Sequence, residues 1–166
     1  MGELAEIIRQ AVELSGVRAV VALGWGQQEA KTKDANIFYV KSVPHDWLFP
    51  HMAGAVHHGG AGTTATSLRH ALPTLVVPFG GDQPFWAERV YAAGCGPKAI
   101  PRDKLTAENL AEGLRALISN PEYTRNAACI GETLRNEHGC ANAADLIEKA
   151  VWDWENGNLA QDGMNI

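Results

Sequence analysis

The run His57-His58-Gly59-Gly60-Ala61-Gly62-Thr63-Thr64 combines residue types that can hold an anion. Glycines let the backbone take unusual φ values and approach a ligand closely. The free amides of a helix N-terminus, at the positive end of its dipole, suit a phosphate. Thr63 and Thr64 can cap such a helix or donate hydroxyls, and a histidine at a strand's end can add a hydrogen bond to a phosphate oxygen. The same residues also fit a tight turn with structural glycines; the local pattern favours phosphate. There is no Gly-Lys-Ser or Gly-Lys-Thr of a P-loop, and Gly59-Gly60-Ala61-Gly62 is not a dinucleotide turn.

A second candidate is Pro78-Phe79-Gly80-Gly81-Asp82-Gln83-Pro84, where Asp82 and Gln83 offer acceptors and donors for a polyhydroxylated ligand. Taken alone, the two also read as a solvated N-cap pair. The third is Val43-Pro44-His45-Asp46-Trp47-Leu48-Phe49-Pro50, in which Trp47, Leu48 and Phe49 read as packing residues. His45, His51, His57 and His58 form no metal-ligand pattern, so no metal is expected. His138 reads as a capping or surface residue, His70 as solvent-facing and Cys95 as a small packed side chain.

Alternating strands and helices must position these segments. Ala19–Leu23, Ile37–Val40, Ala55–His57 and Leu75–Val77 are short apolar runs suited to parallel strands covered on both faces. Leu4, Ile7, Ile8, Ala11 and Val12 share one helical face that Gly16 terminates. Further helices are predicted over 62–71 and 84–93, each directly after a candidate turn. Thr106 is a predicted N-cap for a helix carrying Leu110, Leu114, Leu117 and Ile118, and Pro121 fits the first turn of the next. Ala143, Ile147, Ala150, Val151 and Trp154 mark the last helix, where Trp152 and Trp154 either pack the helix or cover a surface belonging to another domain. The pattern predicts a Rossmann-like, doubly wound parallel α/β sheet, with all three segments opening on one crevice at the strands' carboxyl ends. It opens on a helix, so the first strand of such a fold is expected to be missing.

The 166 residues are 46% hydrophobic and 20% charged, which fits one globular domain and excludes disorder. We place that domain at 1–154 and a disordered tail at 155–166. Three widely spaced cysteines argue against a disulfide scaffold and for a reducing compartment. No apolar run reaches the roughly 18 residues of a membrane span, and the amphipathic, acidic start is no signal peptide. The net charge is −5, and no basic stripe is present to neutralise a nucleic acid.

In order along the chain, Val43–Pro50, His57–Thr64, Leu72-Pro73 and Pro78–Gln83 resemble the donor-binding signature of UDP-dependent glycosyltransferases of the GT-B fold. The pattern is that of sterol 3-β-glucosyltransferases. Val17-Arg18-Ala19, Gly24-Trp25-Gly26, Arg89-Val90, Gly94-Cys95-Gly96 and Glu137–Ala141 look like the same subgroup, so the resemblance covers about residues 4 to 150. It implies the C-terminal, donor-binding half of an inverting enzyme that moves glucose from UDP-glucose to a sterol 3-hydroxyl, with no metal or other cofactor. His58 matches the histidine on the donor diphosphate. Gly60, Gly62, Thr63 and Thr64 match the phosphate-holding turn, Asp82 and Gln83 the sugar-binding pair, and Ser42 and Val43 the segment facing uracil. Plant relatives place a ribose-binding Glu near Ser67, where this chain has Ser67-Leu68. The family's catalytic base lies in the N-terminal, acceptor-binding half. No catalytic residue is therefore expected here, and the chain reads as cut just inside the natural start of its half. The expected partners are a UDP-sugar, that acceptor domain, a sterol through it, and a second copy through an exposed sheet edge. The expected location is cytoplasmic, with peripheral membrane contact in the full-length protein. The alternative is a stand-alone UDP-sugar-binding subunit of a split glycosyltransferase.

Overall fold

A computed structural model describes residues 2–22 and 34–157. Its most buried strand, β4 (Thr74–Val76), runs parallel to β3 (Ala55–His57), with Ala55 opposite Thr74 and His57 opposite Val76. Successive strand residues face opposite sides, and both sides of β4 are covered. Leu75 and the following Val77 pack against Ala11 of helix α1 (Glu3–Ser15) and Leu110, Ala111 and Leu117 of α5 (Ala107–Ser119). Val76 packs the other way, into Leu68, Ala87, Val90, Cys95 and Ala127. Those residues come from α3 (Ala61–Arg69), α4 (Gln83–Ala92), the turn that follows α4, and α6 (Pro121–Asn136). Helices on both faces of parallel strands make this a Rossmann-like α/β fold.

A second parallel pair joins β1 (Ala19–Ala22) to β2 (Ile37–Val40), in register from Ala19 opposite Ile37. Among the described residues β1 pairs only with β2, and β3 only with β4. The predicted sheet is therefore present as two pairs.

Local chemistry sets the helix ends where the sequence placed them. Gly16 takes a left-handed φ of 72° and returns its N–H to Val12. Thr106 forms a reciprocal capping box with Asn109, its Oγ1 accepting from Asn109 N at 3.3 Å and its own N–H bonding Asn109 Oδ1 at 3.0 Å. Pro121 opens α6. Ile118, expected on the apolar stripe of α5, is exposed, because the stripe ends at Leu117.

The chain divides into two compact units, Met1–Leu134 and Arg135–Ile166. In the second, α7 (Gly139–Glu155) follows His138, which occupies the N-cap position without a side-chain cap bond. No residue of α7 is buried, and Trp152 and Trp154 are exposed rather than packed against their own helix. Leu23, the motif Gly24-Trp25-Gly26 and positions 158–166 lie outside the described residues.

Candidate functional site

Strand β3 ends at His57, and after three intervening residues the chain enters α3 at Ala61. Gly59 makes this turn possible at φ +91°, a region that side chains disfavour. It also sits tightly: a Cβ there would lie 2.5 Å from Val76 Cγ1 and 3.2 Å from the carbonyl of Gln83. The turn after β3 thus abuts the start of α4. Parallel pairing of β3 and β4 brings the first two candidate segments to the same edge, as expected.

Alternation along β3 buries Ala55, exposes Val56 and turns His57 inward. Gly59 N–H donates to His57 Nδ1 at 2.9 Å, so the neutral ring carries its proton on Nε2. Nε2 is buried with no partner among the described residues. Burial, followed by the charges of His58 and His45, lowers the His57 pKa to about 4. His58 is exposed, and its ring lies over Gly60, where a Cβ would come within 2.6 Å of Nε2. Gly60 takes the N-cap position of α3. Beyond it, Gly62 faces open space, so the unpaired first-turn amides are approachable there. Thr63 is half-buried, while Thr64 lies beneath it, 3% exposed, its Oγ1 buried without a partner among the described residues. Ser67 is fully buried and bonds Thr63 O at 2.9 Å, so it offers no ribose contact.

The turn after β4 is closed by its own side chains. Gln83 Oε1 accepts from Phe79 N–H at 2.7 Å and from Gly80 N–H at 3.2 Å. Asp82 occupies the N-cap position of α4 without capping it; its Oδ2 instead accepts from Trp86 Nε1 at 2.8 Å. Arg102 stacks over the Phe79 ring, 5.9 Å from its centre.

In the third segment Ser42 is exposed and Val43 half-buried, directly ahead of the short helix α2 (His45–Leu48). Phe49 is buried against Ala55 and Leu72, with Leu48 packed on that cluster, as expected of packing residues. Trp47 is 64% exposed, which corrects the sequence reading: one turn of helix cannot face all three side chains inward. His45 stacks on Phe49 at 4.7 Å and is close enough for its charge to act on His57. That brings the third segment beside the first.

His70 is not solvent-facing. Its Nε2 lies 3.0 Å from Asp46 Oδ1, and its ring meets Phe49 edge-on at 6.2 Å. Cys95 is buried, and burial raises its thiol pKa to about 11, so it is a packing residue. Among the described residues no three His, Cys, Asp or Glu side chains group to hold a metal ion.

The histidine at the strand's end is thus His57, half-buried and inward-facing, while His58 is the exposed one; period-two alternation through Ala55, Val56 and His57 carried that signal. Sequence reasoning missed Trp86, four residues after Asp82 on the same helix face.

Residues 6–148 match the model of the erythromycin biosynthesis protein CIII-like C-terminal domain. A sterol 3-beta-glucosyltransferase of Arabidopsis thaliana is 42% identical over 146 residues, which is 87% of this chain and 24% of that protein. One of Pichia angusta is 38% identical over 151 residues, 87% of this chain and 12% of that protein. The chain thus spans a quarter or less of these relatives. Among solved structures, the glycotransferase of kitacinnamycin superposes with a TM-score of 0.74 at 25% identity, over 90% of this chain and 40% of that one. The glycosyltransferase VinC, solved in complex with dTDP, gives 0.69 at 28% identity, over 78% and 33%. The chain therefore belongs to the family of the erythromycin biosynthesis protein CIII-like C-terminal domain and is a C-terminal domain of the GT-B glycosyltransferase fold.

Proposed function

We propose that this domain binds the donor of a glycosyltransferase, a UDP-sugar, and that the larger enzyme moves glucose from UDP-glucose to a sterol 3-hydroxyl with inversion. The family match carries this reading, because it runs from residue 6 to 148 and includes all three candidate segments. The names of the relatives supply the sterol and the glucose, and the dTDP of VinC supports a pyrimidine nucleoside diphosphate.

In this reading the diphosphate sits on the approachable first turn of α3. The amides of Gly60, Gly62 and Thr63 face it, and His58 closes from the side. Charge on the phosphates is offset by the helix N-terminus without a metal ion. Ser42 and Val43 face the base, and Asp82 and Gln83 take the sugar hydroxyls. Both must then share or exchange the bonds that now close the β4 turn. Inverting transfer also needs a base within reach of the acceptor hydroxyl. We assign that base to an acceptor-binding half, so this chain alone should bind donor and transfer nothing.

Calorimetric titration with UDP, UDP-glucose, UDP-N-acetylglucosamine and ADP-glucose tests the reading. Binding of the three uridine ligands, with ADP-glucose much weaker, is the expected result. Preference for ADP-glucose, or no binding at all, would contradict it. A parallel assay with UDP-glucose and ergosterol should yield no steryl glucoside above a protein-free control.

A further inference from the structure

Asp46 and His70 stand 24 residues apart on different elements, yet their side chains meet at 3.0 Å. The pairs Arg9–Glu6, Arg125–Glu122 and Lys149–Asp153 each lie within a single helix. Asp46 is the second residue of α2, the helix that follows directly on Ser42–Pro44. His70 is the C-cap residue of α3, whose other end is the proposed phosphate site. The turn that delivers His70 is specific: Ala71 takes a left-handed φ of 59°, and Ala71 and Leu72 return their N–H groups to Leu68 and Ser67.

Phe49 touches both elements that this link joins. One face of its ring stacks on His45, and His70 meets the ring edge-on. His45 in turn bears electrostatically on His57 at the end of β3. Helix α2 has only four residues, so few side chains fix its direction: Leu48 on the Phe49 cluster, His45 on the Phe49 ring, and Asp46 on His70. Asp46 is 84% exposed, and exposed pairs contribute little to global stability. What such a pair can do is select one orientation of a short helix.

We propose that Asp46 and His70 are positioning residues for the donor site. They hold α2, and with it the base-facing residues Ser42 and Val43, in one placement relative to α3, without touching the donor. This rests on the reading of the β3 turn as the diphosphate site.

The test is a double-mutant cycle on the full chain, with Asp46→Ala, His70→Ala and both together, plus Asp46→Asn. The Asn side chain keeps an oxygen that can accept from His70 Nε2–H. UDP and inorganic pyrophosphate are titrated calorimetrically, and melting temperatures are recorded. Each Ala variant should weaken UDP by about three- to tenfold, and the double variant by no more than either single. Asp46→Asn should restore affinity to within about twofold. Pyrophosphate, which has no base to place, should bind all variants equally. Strictly additive losses, equal losses for pyrophosphate, or a fall in melting temperature that tracks the affinity would overturn the proposal. Wild-type chain that binds neither probe would overturn the diphosphate reading beneath it. Normal wild-type binding with additive losses would overturn the pair alone.

Discussion

The turn after β3 leaves His57 Nε2 and Thr64 Oγ1 buried without partners among the described residues, whereas the turn after β4 spends Asp82 and Gln83 on closing itself. Both turns are glycine-rich, both lead from a strand into a helix, and they touch at Gly59 and Gln83. Their polar groups nevertheless stand in opposite states. The first opens on approachable helix amides, which an anion can satisfy at little reorganisation. The second must give up bonds before it can make new ones. A donor should therefore draw most of its affinity from the nucleotide and less from the sugar.

Overfilling the contact between the turns should have the largest effect. Gly59→Ala adds a methyl group into Val76 at a positive φ, and we expect a loss of about 3 kcal/mol from strain and overpacking. Chemical denaturation measures it. A loss below about 1 kcal/mol would mean that the turns are not tightly joined.

Acid should attack the first turn. His57 is held neutral, with its pKa lowered from 6.5 to about 4, so between those values the unfolded chain binds more protons than the folded one. Stability contributed by this group is present above pH 6.5 and is lost as the pH falls towards 4. The loss is on the order of 3 kcal/mol. Comparing denaturation of wild type and His57→Gln across that window isolates the contribution. Parallel pH profiles would show that His57 is not the group responsible.

The second turn should respond more weakly. Gln83→Ala leaves two exposed backbone N–H groups to water, and a stability loss of about 1 kcal/mol is expected, with UDP affinity retained. Asp82→Ala should weaken UDP-glucose about three- to tenfold more than UDP. Equal losses for the two ligands would make Asp82 a turn-shaping residue that does not read the sugar.

The strands, the helix ends and the two turns were legible because they depend on local signals. Period-two apolar runs, Gly16, Thr106 and Pro121 act through neighbours a few residues away. What was not legible depends on pairing across the fold. Nothing near Asp46 announces His70, since the contact exists only once β3 and α3 have folded between them. Trp47 and Ile118 look like core residues by type, and their exposure is decided by where a helix of fixed length meets its neighbour. Asp82 and Gln83 read correctly as polar groups at a helix start, but the sequence did not show that Trp86 and the backbone of Phe79 and Gly80 already hold them. For the candidate site, the segments could be read from sequence, while the state of their hydrogen bonds could not.

In the proposed donor site, the β3 turn holds the diphosphate. Calorimetric titration of UDP into wild type, His58→Ala and Gly60→Val tests it most directly, with melting temperatures as a folding control. Gly60→Val displaces the exposed His58 ring and blocks approach to the amides, and His58→Ala removes a hydrogen bond to a charged group worth about 1.5–3 kcal/mol. Both variants should stay folded and bind UDP about ten- to a hundredfold more weakly. Folded variants with unchanged UDP affinity would contradict that assignment.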